Sequence, residues 1–547
     1  MGCVHSYLCA AYQNIRIFLA LLEEARADLS TALVRISHPS LPIPNPSVSF
    51  WQQNPILPEL VNAKSTTLPT MADIVIIGSG ISGASIAHTI LNTPRSDKDI
   101  TVVVLEAREI CSGATGRNGG HIKCSPHITY ANSKKRFGSE KAKEIVAFEK
   151  RALPLLVDFA RENGFEHAEV REVETVDIYT DEFAWNDAKM MVHSLREDLP
   201  DVAEDLEIYE ADAGCKKFGV SQDHCSGIIS YPAGALWPYR FVTSLYKKLL
   251  STHPKSFSIE TSTLVTEIKT QDNMEKPFLV CTSRGEIAAK HVVHATDAFA
   301  SALLPGIRGK LFPIRGHMTA QRPGHKFPDF DGSRSWSIMH RRGDEYVSQR
   351  PGKPGQSVNG LGGELMIGGG SFQTPGKGID ECGIWSDDRS SASVDAYLDG
   401  ILPVIFGKDN WGDDTAGSRV KQAWVGCMGF TTDLLPYVGK LDSELTCRHV
   451  QTDGQRSNSG NDGGKAGREM GPPPAEWISA GFGGEGMVLA WLSGAAVALM
   501  VMGLEDCDIQ GSPGLPDGRL KDWLPEEFIC SKPRVDKSSF AGLLELL

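Results

Sequence analysis

A chain of 547 residues suits one large two-domain enzyme or two or three domains. Its 41% hydrophobic and 22% charged residues describe an ordinary soluble globular protein. A formal charge of −13 supplies no basic stripe for a phosphate backbone, which excludes a general nucleic-acid binder.

In chain order, the N-terminal MGCVHS fits the Met-Gly-x-x-x-Ser myristoylation pattern, with Cys3 beside it as a palmitoylation candidate. Gly2 and Cys3 are therefore the candidate acyl anchor. Residues 11–35 can form an amphipathic helix, but Arg16, Glu23, Glu24 and Arg26 exclude a membrane span. Residues 38–70 contain seven prolines and read as an extended leader that drapes or dangles. Residues 1–70 are thus expected as a partly disordered extension, and Met71 as an alternative start.

The folded pattern begins at once after it. The apolar strand 74–77 runs into Gly78-Ser79-Gly80-Ile81-Ser82-Gly83 and then a helix. Gly78 permits the tight turn, Gly80 lets a pyrophosphate approach the backbone, and Gly83 lets helix and strand pack closely. The helix N-terminus offers unpaired N–H groups to phosphates. A second strand, ITVVVLEA at 100–107, ends in Glu106, 23 residues beyond Gly83 and placed to accept from a ribose hydroxyl. Strand, turn, helix and acid together specify dinucleotide binding.

Further on, Ile145, Phe148, Ala152, Leu155, Leu156 and Phe159 give 141–164 the spacing of a helix with one buried face. Short strands and helices alternate from 170 to 300, and 311–425 reads as antiparallel sheet. Residues 451–474 are a polar, low-complexity insertion expected to be disordered. Residues 487–504 form an 18-residue run without a formal charge, read as a buried helix rather than a span. The 12 cysteines include no CxxC pair, so neither a disulfide framework nor a metal site is expected, and the compartment is read as the reducing cytoplasm.

VVVLEAREICSGATGRNGGH at 102–121 resembles the D-amino-acid oxidase-like family of FAD-dependent oxidoreductases. It is most similar to the branch containing gamma-glutamylputrescine, glycine and sarcosine oxidases. The likeness extends over roughly residues 40–510, through VVHATDAFASALLPGIRGKLFPIRGHM (292–318), WVGCMGFTTDLLPYVG (424–439) and WISAGFGGEGMVLAWLSG (477–494). It implies an α/β (overall α+β) fold: a Rossmann-like FAD-binding domain with a mostly parallel sheet, and a substrate domain on an antiparallel sheet. The expected FAD-binding domain spans 71–310 and 420–510, with part of 150–225 joining the substrate domain at 311–419; 511–547 is a tail. Implied FAD contacts are Gly78, Gly80, Ile81, Ser82, Gly83, Glu106, Ala107, Arg108, Ser112, Gly113, Ala114, Thr115, Arg117, Asn118, Gly119, Gly120, Val265, Ala295, Thr296, Cys427, Gly481, Gly483, Gly484, Glu485, Gly486 and Met487. The helix after Gly486 would aim its positive end at the flavin.

Families of this kind oxidise a C–N bond: a hydride leaves the carbon α to an amine for flavin N5, and the imine hydrolyses. The implied substrate is a small-molecule amine or amino acid, with oxygen or another acceptor taking the electrons. Pocket candidates are Tyr346, Arg350, Met366 and Glu485, with His340 and Gln349 on the same sheet. Met366 stands where sarcosine oxidases carry an oxygen-activating Lys, and Val488 where they carry a carboxylate-binding Lys. The first departure leaves the electron acceptor open, with another cation serving for oxygen or the enzyme acting as a dehydrogenase; the second favours an amine or a longer N-substituted compound over a small amino acid. Glu485, where a His is usual, suits a cationic substrate or, equally, simple capping at the helix entry, and Asp297 replaces a common Asn. Cys427 matches the region of a flavin-linking cysteine and is a candidate for covalent attachment, against a plain buried thiol. Loss of both lysines keeps open a non-catalytic flavoprotein, whereas GFGGEGM argues against an NAD-dependent dehydrogenase.

Overall fold

The computed structural model describes residues 2–93, 100–352, 362–414, 417–450 and 472–540, with side chains from Tyr12 onward except Leu21. Two sheets organise them. The first is mostly parallel and runs Tyr437–Lys440, Ala475–Ala480, Gly285–His294, Met71–Ile77, Val102–Leu105, Phe257–Glu260, with Val265–Thr270 and Phe278–Thr282 added as an antiparallel arm. Its central strands are apolar on both faces: Val75, Ile76, Val104 and Val293 are fully or almost fully buried. Such continuous apolar runs are what a parallel sheet covered on both sides requires.

Helices Ile81–Asn92, Ser139–Glu162, Pro238–Thr252 and Gly486–Met502 supply one cover. Gly486–Met502 is the uncharged run seen in the sequence, and it lies directly on Ile81–Asn92. A Cβ at Gly494 would stand 2.7 Å from the Ser82 carbonyl, and Ser85 Oγ donates to the Trp491 carbonyl at 2.6 Å. Small residues thus let two backbones touch, and the helix is buried in protein. Among the described residues no helix is long and apolar enough to cross a membrane.

The second sheet orders Val420–Thr431, Leu311–Gln321, Leu365–Gly368, Gly343–Gln349, Arg334–His340, Arg171–Tyr179, Gly227–Ala235, His121–Ile122. Glu207–Glu210 pairs on Gly227–Ala235. It is antiparallel except where Arg334–His340 meets Arg171–Tyr179 in parallel. Val420–Thr431, expected with the FAD-binding portion, instead pairs along Leu311–Gln321. The chain returns to the first sheet only at Tyr437.

The N-terminal extension departs from expectation. Gly2–Ser37 is one helix, and its last turns are seated: Ala32 and Ile36 are buried, the latter with Phe312, Trp385 and Phe540. Arg35 donates to the Cys382 and Ile379 carbonyls at 2.9 Å each. Residues 38–70 are ordered against the body, because Phe50 and Trp51 bury themselves beside Trp237. Apolar anchors spaced among the prolines hold a segment that composition alone assigns to partial disorder. The tail likewise packs down, through Trp523 and Phe528 on Phe148 and Arg534 on Asp433. The side chains of Gly2 and Cys3, and residues 451–471 of the polar insertion, lie outside the described residues.

Candidate active site

The glycine turn behaves as its spacing requires. Gly78 has φ +110°, and a Cβ there would meet the Ala295 carbonyl at 2.3 Å; one at Gly83 would meet the Gly78 carbonyl at 2.1 Å. Only glycine allows the turn to fold this tightly against strand and helix. Glu106 closes it from the next strand: Oε2 accepts from Ser79 Oγ at 2.6 Å and Ser79 N at 3.3 Å, and Oε1 from Arg108 N at 3.0 Å. Thr115 Oγ1 accepts from Ile81 N at 3.0 Å, which holds the second small-residue turn over the helix N-terminus.

One cavity starts at this turn and ends at the second sheet. From the first sheet it is lined by Gly78, Gly80, Ile81, Ser82, Glu106, Ala107, Arg108, Val265, Ala295 and Thr296. The turn after Glu106 adds Gly113, Ala114, Thr115, Arg117 and Asn118, and the far end adds Cys427, Gly484, Gly486, Met487 and Tyr346. Counted to its open mouth, solvent included, it holds about 1430 Å³ of empty space. Two helix N-termini, at Ile81 and Gly486, belong to the same cavity. Thr296 Oγ1, also in the lining, is buried without a hydrogen-bond partner. An elongated, glycine-walled cavity with a phosphate turn at one end fits FAD.

The other expected residues stand around this lining. Gly83 packs behind the turn, and Ser112 anchors both arginines: its carbonyl accepts from Arg117 Nε at 2.8 Å, its Oγ from Arg108 Nε at 3.1 Å. Asp387 sits between the two guanidiniums, 2.9 Å from Arg108 and 3.4 Å from Arg117. Arg117 also donates to Ser47 and to the Val425 carbonyl, and burial lowers its pKa to about 10. Both arginines thus hold the loop and share the one Asp387 carboxylate. Gly119 and Gly120 are pressed by protein: a Cβ would meet the Tyr346 ring at 2.6 Å and the Leu236 carbonyl at 2.3 Å, respectively. Gly481 N donates to Asp297 Oδ1 at 2.9 Å and Gly429 N to Oδ2 at 2.7 Å, which gives the aspartate at this position a structural use. Gly483 N donates to the Gly429 carbonyl at 2.8 Å, which ties the last loop to the second sheet.

Of the pocket candidates, Tyr346 alone lines the cavity; its hydroxyl points at Met318 Sδ, 3.2 Å away. Arg350 does not reach it. Its guanidinium pairs with Glu169 at 2.6 Å and Glu364 at 2.7 Å, and stacks over Trp237. Met366 is fully buried inside the sheet, opposite Ala320 and Ser348. Gln349 is buried against the Phe330 amide, and His340 pairs with Glu345 at 3.3 Å. Position in the sequence put all of these on the right sheet, but strand alternation and ion pairing turn them elsewhere.

Glu485 occupies the N-cap position of the last helix beside this end of the cavity, without a side-chain capping bond. Its residue surface is open, yet burial of the carboxyl, with Glu149 and Asp344 nearby, pushes it up to about 8. Water reaching the open side moderates that push. Lys123, unremarked in the sequence, is the cation of this neighbourhood. Its ammonium is spent on Asp177 at 2.6 Å and Ser337 at 2.6 Å, under the Tyr231 ring. It follows GRNGGH by two residues, and that proximity to the second turn was the available signal. Cys427 Sγ lies 3.5 Å from the Ile384 carbonyl, and burial pushes its thiol up to about 12.

A family model described as FAD dependent oxidoreductase (DAO) matches residues 73–500. The chain belongs to this family. It is an enzyme of the DAO family, and FAD is its cofactor. No curated protein matches the sequence. Among solved structures, glycine oxidase from Geobacillus kaustophilus is similar at TM-score 0.55 and 17% identity, over 79% of this chain and 95% of that one. L-proline dehydrogenase from P. horikoshii gives TM-score 0.55 and 19% identity over 84% and 97%. Iminodiacetate oxidase from Chelativorans sp. BNC1 gives 0.54 and 16% over 83% and 98%. At these identities the likeness is one of fold, the DAO fold of FAD-binding and substrate domains.

Proposed function

We propose that this DAO-family enzyme oxidises a C–N bond of an amine or N-substituted amino acid, with a cationic amine preferred. The observation that carries it is the one cavity joining the Gly78 turn to Gly484, Gly486, Met487 and Tyr346. Bound there, FAD supplies a two-electron acceptor for the hydride of the carbon α to nitrogen, and the imine left behind hydrolyses in water.

The chain's own residues have separable tasks. The amides at the start of Ile81–Asn92 and the 113–118 turn would hold the phosphates, and Glu106 the ribose. Tyr346 walls the reacting end. Asp344 and Glu485 flank that end, while Lys123 is neutralised by Asp177, so the local field is negative and draws an ammonium. The likeness to a glycine oxidase and an iminodiacetate oxidase supports C–N oxidation as the reaction class.

The test is anaerobic bleaching of the purified yellow protein by amines, polyamine derivatives and amino acids. Bleaching by a cationic amine is expected, and reoxidation in air then separates oxidase from dehydrogenase. A flavin that none of these reduces would establish the non-catalytic alternative instead.

A further inference from the structure

A second cavity, with about 800 Å³ of empty space counted to its mouth, opens beside the first. Its rim carries Glu172 and Asp205, both exposed, and its floor is formed by Cys124, Glu149 and Val488. Between rim and floor the walls are largely apolar, with Leu153, Val202 and Leu206 among them.

Glu149 is the unusual member. It is 7% exposed, and both donors that reach it go to the same oxygen: Thr129 Oγ1 at 2.9 Å and Cys124 Sγ at 3.2 Å, each to Oε2. Among the described residues no hydrogen bond to Oε1 is found. Lys150 lies in the lining but is paired with Asp205 at 2.9 Å, so it does not answer the carboxyl at the floor. A carboxylate buried without a cation is costly, and burial accordingly pushes Glu149 up to about 7.

The floor abuts the reacting end of the flavin cavity. Val488 is the next residue after Met487, which lines that cavity, and the carboxyls of Glu149 and Glu485 are near enough to repel one another. We propose that this cavity is a second substrate subsite, in which Glu149 Oε1 accepts from the distal ammonium of a diamine-type substrate whose methylene chain lies along the apolar walls. The inference rests on the amine-oxidation reading for the near nitrogen only; binding of the distal ammonium stands apart from turnover.

The experiment is isothermal titration calorimetry on the holoenzyme reduced anaerobically with dithionite, whose flavin accepts no hydride, so that binding is read without turnover. The probes are the α,ω-diaminoalkanes from diaminoethane to diaminohexane and the matching 1-aminoalkanes. A charge-assisted hydrogen bond predicts that the best diamine binds about tenfold or more tighter than its monoamine. Affinity should also peak at one chain length, because the carboxyl is fixed. In Glu149→Gln, with melting temperature and flavin spectrum as controls of folding, the diamine advantage should fall to within about twofold. Equal affinity for diamines and monoamines, or no preferred length, would overturn the subsite even if the variant does not fold. Failure of every amine to bleach the flavin would instead remove the oxidation reading and leave this measurement interpretable.

Discussion

Replacing Asp387 by alanine should weaken both the fold and its grip on FAD. The carboxylate is 1% exposed and serves two arginines, Arg108 through contacts of 2.9 and 3.0 Å and Arg117 at 3.4 Å. Removing one partner of a buried ion pair costs about 3–5 kcal/mol, because the other charge stays buried and unanswered. Here two guanidiniums are stranded, so the upper half of that range applies. An unfolding entropy of about 2.1 cal/mol/K per residue gives roughly 1.1 kcal/mol/K for 547 residues. The melting temperature should therefore fall by about 3–4 °C if the chain melts as one unit, and by more if it melts in parts. The same loss loosens the 108–117 loop, and 4 kcal/mol of added ordering cost would reduce FAD affinity by about a thousand-fold. Asp387→Asn keeps an acceptor without the charge and should lie between the two. Differential scanning fluorimetry and fluorimetric titration of apoprotein with FAD measure both effects. If Asp387→Ala melts within 1 °C of the native protein and binds FAD equally well, the loop does not depend on this carboxylate.

Three further outcomes are expected. A chain beginning at Met71 lacks Leu41 and Pro42 from the cavity wall and Ser47 from Arg117, so it should emerge from gel filtration without FAD; full flavin stoichiometry would show the leader to be dispensable. Gly80→Val should purify colourless, since even a Cβ would stand 2.9 Å from Thr115 Oγ1 and unseat the bond from Ile81 N; a fully yellow preparation would move the phosphate site elsewhere. Glu149, raised from 4.5 to about 7, binds its proton more tightly folded than unfolded, so its contribution is complete below pH 4.5 and lost as pH rises through 7. The unfolding free energy from urea titrations across that window should fall by up to about 1.4 kcal/mol per pH unit from this group, and Glu149→Gln should flatten the slope.

A fourth concerns colour. With its thiol pushed up to about 12, Cys427 is a poor nucleophile, and acid precipitation should leave all the yellow in the supernatant. A coloured pellet would establish a covalent bond.

The parts legible in the sequence were those that backbone geometry dictates. Gly78 and Gly83 have no room for a Cβ, and Glu106 must follow the next strand, so spacing alone located the turn. The buried helix Gly486–Met502 was equally plain, because its apolar run matched family motifs on its N-terminal side. Side-chain destinations were not legible. Arg350 and Met366 lie on the anticipated sheet, but their direction depends on Glu169, Glu364 and the strand's alternation, none of which spacing reveals. The leader misled for a related reason. Its prolines dominate its composition, while the work is done by Ser47, Phe50 and Trp51, whose partners lie far along the chain.

That distance has a consequence for how the molecule comes into being. Ser47 leaves the ribosome 378 residues ahead of Val425, whose carbonyl shares its hydroxyl and Arg117. At elongation rates of about 5–20 residues per second, the early segment waits roughly 20–75 s for its counterpart. Cofactor capture is accordingly a late event in biogenesis, and nascent chains stalled before residue 425 should emerge flavin-free.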